Sequence, residues 1–365
     1  MRPTILVTGA TGKTGGAVVE QLRAKDWPVR ALVHRHDVRS QRLQELGAEV
    51  VVADMHDPDQ LLDALRGVQR AYYLPLFQPH MLQAATAFAA AARASKLEAI
   101  VQLSQWLSHR SHPSILTRET WLVDQLFTMI PGVAHVIVNP GMFADNFLRV
   151  IDYASLLGFY PVFTGDSCSA PVATEDIARV AAALLMDPQP HAGKRYRPTG
   201  PALLSGRDMA GAVQRAVGHA VLPLKLPFWM FRKAARLGGA SVHEVYNYRE
   251  YLRDHHNGAF SLDGGVNDVV AQLTGKPAED FETTARRYAA MPFARRTPAK
   301  LLGAVARFSV LPLVPGHNLE RYARQMRFPR PPRPSLASED PRWLEEHGAG
   351  AAPRMSARVA AAVAG

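Results

Sequence analysis

The sequence predicts an α/β protein with a doubly wound parallel sheet, a smaller and mostly helical C-terminal region, and a basic, proline-rich tail. Three observations carry that prediction. Short β-branched and apolar runs alternate with helix-like stretches from the first residues onward, the rhythm of parallel strands joined by helical crossovers. A glycine turn, Gly9-Ala10-Thr11-Gly12-Lys13-Thr14-Gly15, separates the first such strand from the first helix, and in that context a glycine motif signals dinucleotide binding. The charge is unevenly placed: residues 292–334 hold nine basic residues and one acid, Glu320, and so carry about +8 of the chain's net +10.

Taken in order, residues 4–8 read as the first strand and 17–25 as the first helix. Gly9 permits a tight turn, Gly12 lets the backbone approach a pyrophosphate, and Gly15 lets the helix pack against the strand. The helix N-terminus then points free N–H groups at the phosphates. Gly12-Lys13-Thr14 resembles the end of a P-loop, but that motif needs a wider gap than the two residues between Gly9 and Gly12, which excludes a nucleotide triphosphatase. Further strands are expected at 28–33, 49–53, 70–74, 98–103 and 133–138. The helices between them are expected at 39–46, closed by Gly47, at 58–66 with Asp57 as N-cap and Pro58 first, and at 79–95 and 117–129. Beyond them, helices are expected at 146–157, at 174–186 capped by Thr174, at 205–217 capped by Ser205, and at 226–237, 242–253 and 278–288.

Ligands of such sheets sit at the carboxyl ends of the strands, which selects the loops to read for chemistry. Gly9, Thr11, Gly12, Lys13, Thr14 and Gly15 form the expected phosphate loop. After the second strand no acid appears before Asp37, and Arg35 stands where a 2′-phosphate would lie, so NADP(H) is expected over NAD(H), with Lys13 as a second contact to that phosphate. Asp54 and Met55 are placed for the adenine, by hydrogen bond and by packing. Leu74 and Pro75 should run under the ribose and nicotinamide, Ser104 and Gln105 reach the nicotinamide side, and Asn139, Pro140 and Gly141 close over it. Trp106, Met142, Phe143 and Phe147 are the expected substrate pocket, suited to a planar molecule or to ordinary core. No His/Cys/Asp/Glu cluster has metal-ligand spacing.

These residues carry a resemblance. GATGKTGG at 9–16, Arg35, Ala53-Asp54-Met55, NPGMFADNF at 139–147, PVATEDIA at 171–178 and the stretch 245–289 are similar to the NmrA-like family of atypical short-chain dehydrogenases/reductases. The resemblance covers about residues 3–290. It implies a Rossmann NAD(P)-binding domain at 1–150, to which elements from about 170–200 return, a smaller substrate or lid region at 151–291, and NADP(H) as cofactor. The extension 292–365 lies outside it. One departure matters. The wider superfamily uses Tyr-x-x-x-Lys on the helix after the fifth strand to move the substrate proton, yet residues 104–127 contain neither tyrosine nor lysine. Thr120, or Glu119 with a register slip, stands at the lysine position, and His109 and His112 are the remaining catalytic candidates. Two classes stay open: an NADPH-dependent oxidoreductase acting on a small planar acceptor such as a quinone or carbonyl, and a non-catalytic NADP(H) sensor acting through a protein partner.

Composition narrows the setting. A chain with 47% hydrophobic and 20% charged residues is globular. The single cysteine, Cys168, admits no intrachain disulfide and suggests a reducing compartment. Met1 leads straight into a strand and no apolar run reaches bilayer length, so a cytoplasmic protein is expected. A homo-oligomer is left open, and sequence-specific nucleic-acid binding is not expected, since no recognition motif accompanies the basic charge. The tail has six prolines between residues 312 and 334 and an apolar stretch at 301–316. Packing on the body or on a second subunit is the first reading for it, and contact with an anionic membrane the second.

Overall fold

The computed structural model describes residues 2–347. The chain runs β1 (Ile5–Val7), α1 (Lys13–Arg23), β2 (Val29–Val33), α2 (Val38–Glu45), β3 (Glu49–Val52), α3 (Pro58–Ala64), β4 (Arg70–Tyr73), α4 (Met81–Ala94), β5 (Ala99–Leu103), α5 (Ile115–Thr128) and β6 (Ala134–Val138). It continues with α6 (Ala144–Leu148), α7 (Ile151–Leu157), β7 (Phe159–Val162), α8 (Thr174–Met186), β8 (Arg195–Tyr196), α9 (Gly206–Val217), β9 (Leu222–Lys225), α10 (Phe228–Leu237) and α11 (Val242–His256). The last helices are α12 (Val269–Thr274), α13 (Phe281–Ala290), α14 (Pro298–Val310), α15 (Leu319–Met326) and α16 (Pro341–His347).

Seven strands form one parallel sheet in the order β3-β2-β1-β4-β5-β6-β8. The order reverses between β1 and β4, which opens the ligand crevice at their carboxyl ends. Each face buries its own core. On one, Val18, Val19 and Leu22 of α1 and Ile177, Val180 and Leu184 of α8 lie against Ile5, Val7 and Tyr72. On the other, Leu61 of α3, Phe88 of α4 and Phe127 of α5 pack with Leu6 and Tyr73. The Tyr73 ring sits 4.8 Å from Phe88 and 4.7 Å from Phe127. A third core joins α6, α7, β7, α9 and α13 beneath the crevice.

The expected caps Asp57 and Ser205 are in place, each accepting backbone N–H groups of its helix. Two expectations need correction. The stretch 146–157 is two helices, α6 and α7, because Val150 leaves the helical region (φ −109°, ψ 16°). Asp145 fixes the direction of α6 by bonding Thr174, while α7 packs under α14. Thr174 does not cap α8; Ala173 holds the cap position, and Thr174 donates from N and Oγ1 to Asp145 Oδ2 at 3.3 and 2.7 Å. β8, from the segment at about 170–200, is the seventh strand of the sheet, and the expected elements include no counterpart of the separate two-stranded sheet β7-β9. β8 is two residues long and β9 contains Pro223 and Lys225, so neither carries an alternating pattern.

The tail lies on the body by its far part. Leu319 and Ala323 of α15 are buried against Ile115 and Val245, and Leu336, Ala337 and Trp343 are 2%, 0% and 1% exposed. Of α14, only Ala304 is buried.

Candidate functional site

The crevice is built from the end of β1 outward. Thr8 Oγ1 donates to Tyr72 O at 3.3 Å and accepts from Leu74 N at 2.8 Å, which ties the glycine loop to the end of β4. Gly9 has φ +61°, and a Cβ there would lie 2.7 Å from Leu74 Cδ2. A Cβ on Gly15 would lie 2.3 Å from Gly9 O, so only glycine lets α1 start this close to its own loop. Gly12 is different: a Cβ there would meet nothing within 4 Å but Gly9 O, at 3.1 Å, and its outer side is open. The first N–H groups of α1 have no intrahelical acceptor, and Gly12 supplies no side-chain cap. The loop therefore offers uncapped donors beside a gap that a side chain would fill, which fits a pyrophosphate.

At the end of β2, Arg35 is exposed and has no partner among the described residues. Asp37, the first acid after it, caps α2 through Arg39 N and Ser40 N and is paired with Arg39 Nη2 at 2.6 Å. The Arg39 guanidinium holds its carboxyl down at about 2. The Asp37 carboxylate is taken up by the helix cap and by Arg39. Lys13 departs from expectation. Its Nζ bonds Tyr288 Oη and lies 3.6 Å from Asp145 Oδ1, so it is engaged on the α6–α13 side of the crevice and not left free for a 2′-phosphate. Asp54 Oδ1 accepts from His56 N and lies 3.0 Å from His56 Nδ1. Met55 is 7% exposed and packs with Leu61 in the second core rather than standing free for an adenine.

The loops after β5 and β6 are more closed than expected. Ser104 turns inward and donates to Asp124 Oδ2 at 3.0 Å, and Gln105 Oε1 accepts from Thr117 Oγ1 at 3.1 Å. Gly141 lies against Phe260, whose Cδ1 would sit 3.2 Å from a Cβ there. Asn139 is 2% exposed, and its Oδ1 has no hydrogen-bond partner, an orphaned acceptor beside Pro140 at the end of β6.

The expected substrate residues are packed, not open. Trp106 donates from Nε1 to Ala259 O at 2.9 Å and carries the Arg197 guanidinium 3.8 Å from its ring. Trp343 of α16 meets its edge at 5.4 Å and His347 at 4.9 Å, while Trp343 Nε1 donates back to Trp106 O at 3.3 Å. Met142 belongs to the same cluster. Phe147 packs edge-on against His255 and Phe281, and Phe143 against the first core. The tail thus covers the loops where the acceptor was expected. An open groove of about 680 Å³ lies elsewhere, lined by Arg207, Asp208, Arg215 and Glu282 among others, and holds none of the expected cofactor, substrate or catalytic residues.

All three catalytic candidates are buried. Thr120 is fully buried and donates to Leu116 O at 2.9 Å, within its own helix. His112 is fully buried, its Nε2 2.7 Å from Asp254 Oδ2 and its Nδ1 accepting from Ser114 N at 3.0 Å. Asp254 also accepts from Ala337 N, Ser338 N and Ser338 Oγ. Burial alone would raise its pKa, but the His112 and Ser338 hydrogen bonds outweigh burial and hold it below 3.8. This pair is a clasp for the tail. His109 Nε2 lies 3.0 Å from Asp340 Oδ2 without hydrogen-bond alignment. Burial keeps His109 below the ordinary histidine range against the pull of Asp340.

Two clusters escaped the sequence reading. Asp124 is fully buried and accepts from Gln102 Nε2, Ser104 Oγ, Ser108 Oγ and Arg195 Nη1, bracing the end of β5. Asp145 accepts from Tyr288 Oη at 2.5 Å and from Thr174, with Lys13 beside it, joining the glycine loop to α13. Asp145 lies in the NPGMFADNF segment and Tyr288 in the stretch 245–289, but nothing local paired them. Among the described residues, no three His, Cys, Asp or Glu side chains are grouped to hold a metal ion, and no helix is long and apolar enough to cross a membrane.

Comparison with known proteins agrees with the motifs. The model of the NmrA-like family matches residues 1–118, the segment that holds the glycine loop and the first five strands. An NAD(P)H azoreductase of Xenophilus azovorans is 29% identical over 292 residues, 78% of this chain and 98% of that protein. An NADPH-dependent quinone oxidoreductase of Escherichia coli, solved with NADPH, superposes with a TM-score of 0.66 at 24% identity, over 78% of this chain and 99% of that one. NmrA, a negative transcriptional regulator solved with NAD, superposes with a TM-score of 0.63 at 19% identity, over 78% and 94%. Each leaves roughly a fifth of this chain without a counterpart.

Proposed function

We propose that this protein is an NADPH-dependent oxidoreductase that delivers hydride to a small planar acceptor, a quinone or azo compound being the class its relatives suggest. The observation that carries the reading is the glycine loop: uncapped donors at the start of α1 beside the open side of Gly12. The exposed, unpaired Arg35 beside an Asp37 committed to Arg39 supports NADPH over NADH. When bound, the dihydronicotinamide supplies the hydride. The chain's own part is to bind and orient. The N–H groups of Lys13, Thr14 and Gly15 receive the pyrophosphate, Arg35 the 2′-phosphate, and the orphaned Asn139 Oδ1 a donor group of the ligand. With no Tyr-Lys pair on α5 and His112 held by Asp254, the acceptor's proton comes from water. Such chemistry suits an acceptor whose reduced form is protonated readily in solution.

A second reading, a redox-responsive regulator, is favoured by one observation: Trp343 and His347 cover Trp106, so the acceptor side is closed by the chain's own tail. Mixing the protein with NADPH and a panel of quinones, azo dyes and enones, and following loss of nicotinamide absorbance, separates the two. Turnover supports the reductase. Tight NADPH binding without turnover on any acceptor leaves the regulator.

A further inference from the structure

The apolar stretch at 301–316 should be buried if the tail simply packs on the body, and it is not. Between Met291 and Leu313 six large apolar residues are exposed: Met291, Phe293, Leu302, Val305, Val310 and Leu313, with Leu302 at 72% and Leu313 at 83%. The inner side of α14 is satisfied: Ala304 is buried and Phe308 packs 5.0 Å from Phe159. At helical spacing Leu302 and Val310 fall on the side away from that contact, and Val305 on the flank between Leu302 and Phe308. α14 is therefore apolar on two sides, with Lys300 and Arg307 along the flank between them. A helix apolar on two opposite sides needs a second apolar neighbour, and among the described residues α14 has one on its inner side alone. The neighbouring α10 has no buried residue and extends the same surface. Lys233 lies 5.3 Å from the Trp229 ring and bonds Pro312 O, which brings the 46%-exposed Trp229 beside the turn bearing Leu313.

We infer that this face, α14 with the 311–313 turn and Trp229, docks on an anionic lipid bilayer, lying in the interface without spanning it. Charge selects the occupant. From Thr283 to Leu319 the sequence has no acidic residue; Arg295, Arg296 and Lys300 accompany the apolar side chains, Lys233 borders them from α10, and Arg307 is paired with Asp152 Oδ2 of α7 at 3.2 Å. An apolar face rimmed by cations and an aromatic matches the acyl–headgroup boundary of an anionic membrane, where each basic residue near the surface raises partitioning roughly fivefold. A second copy of this chain would set the same cations against each other across a two-fold interface. The inference stands apart from the reading of the nucleotide site.

The test is sedimentation of the full chain with vesicles of phosphatidylcholine alone and with about one-third phosphatidylglycerol. Binding is expected to the anionic vesicles only and to weaken as salt rises. Leu302→Glu with Leu313→Glu should cut that binding about tenfold or more, while NADPH affinity and melting temperature stay unchanged, since both side chains are solvent-exposed. Lys300→Glu with Arg296→Glu should cut it comparably. Absence of binding at low salt overturns the inference. So does loss in the charge variant alone, which would be plain electrostatic adsorption, and so does a concentration-dependent dimer that Leu302→Glu dissolves, which would give the face to a second copy.

Discussion

Two substitutions in the glycine loop, three residues apart, should fail in different ways. At Gly12 the backbone is extended (φ −84°, ψ 170°), a conformation valine adopts readily. Its Cβ would touch only Gly9 O, at 3.1 Å. Gly12→Val should therefore fold with a nearly unchanged melting temperature while its isopropyl group occupies the pyrophosphate gap. Losing two of the charge-assisted N–H contacts at about 1.5–3 kcal/mol each removes about 3–6 kcal/mol, on the order of 10²–10⁴ in affinity. At Gly15 the added methyl would sit 2.3 Å from Gly9 O and 2.7 Å from Gly9 C, so helix and loop must part by about 1 Å. Gly15→Ala should lose affinity too, but with an overpacking cost of about 1–3 kcal/mol and a melting point lower by a few degrees. Titration calorimetry with NADPH and a thermal melt read both quantities. Wild-type affinity in a folded Gly12→Val protein would refute the loop as a phosphate cradle. An unchanged melt for Gly15→Ala would refute the steric account.

Three further outcomes follow from particular contacts. Arg35→Ala should remove most of an at least tenfold preference for NADPH over NADH, read by calorimetry with both cofactors, because a charge-assisted contact is worth about 1.5–3 kcal/mol. Equal affinities in the parent protein would contradict the role given to Arg35. Trp343→Ala empties a site that is 1% exposed and should loosen the tail by about 3–5 kcal/mol, seen as faster protease cleavage after residue 330 with the nucleotide-binding body left whole. The tail should also loosen in acid. His255 is fully buried and His347 half-buried, and desolvation pushes both pKa values down to about 4 from 6.5. Between those values the unfolded chain takes up protons that the folded one refuses, so stability falls as pH drops from about 6.5 towards 4. Asp254, held below 3.8, gives its stabilisation in full at neutral pH and loses it only below about 4. Proteolysis of the tail should accordingly rise over the first window, and a flat rate from pH 7 to 4 would contradict it.

The glycine loop was legible in the sequence because each glycine answers a separate local steric demand, and Asp57-Pro58 and Ser205 were legible because a cap acts within one turn. The parallel sheet followed from the alternation of buried strands and helices. What could not be read depends on distance along the chain. Trp106 is an aromatic at the end of β5 in the sequence, but its cover, Trp343, lies 237 positions away. His112 has the look of a loop histidine, and its role as a clasp exists only through Asp254, 142 positions on. Lys13 reads as a phosphate ligand until Tyr288 and Asp145 arrive from α13 and α6. Thr120 aligns with a catalytic lysine by register, yet α5 turns it into the core. The apolar run in the tail argued for burial, and Leu302 and Leu313 stand in solvent. Hydropathy states that such a run needs an apolar neighbour and leaves open which one.

Hydride delivery from NADPH at the crevice formed by the ends of β1 and β4–β6 is tested by a single-turnover mix of the protein with NADPH deuterated at the transferable position and a quinone, in the full chain and in a chain cut after residue 334 to remove Trp343 and His347. The expected result is consumption of NADPH with a primary isotope effect, faster in the shortened chain because Trp106 is uncovered, and absent in Gly12→Val. NADPH that binds tightly to both chains and is consumed by neither, on any acceptor offered, would contradict hydride delivery from the crevice.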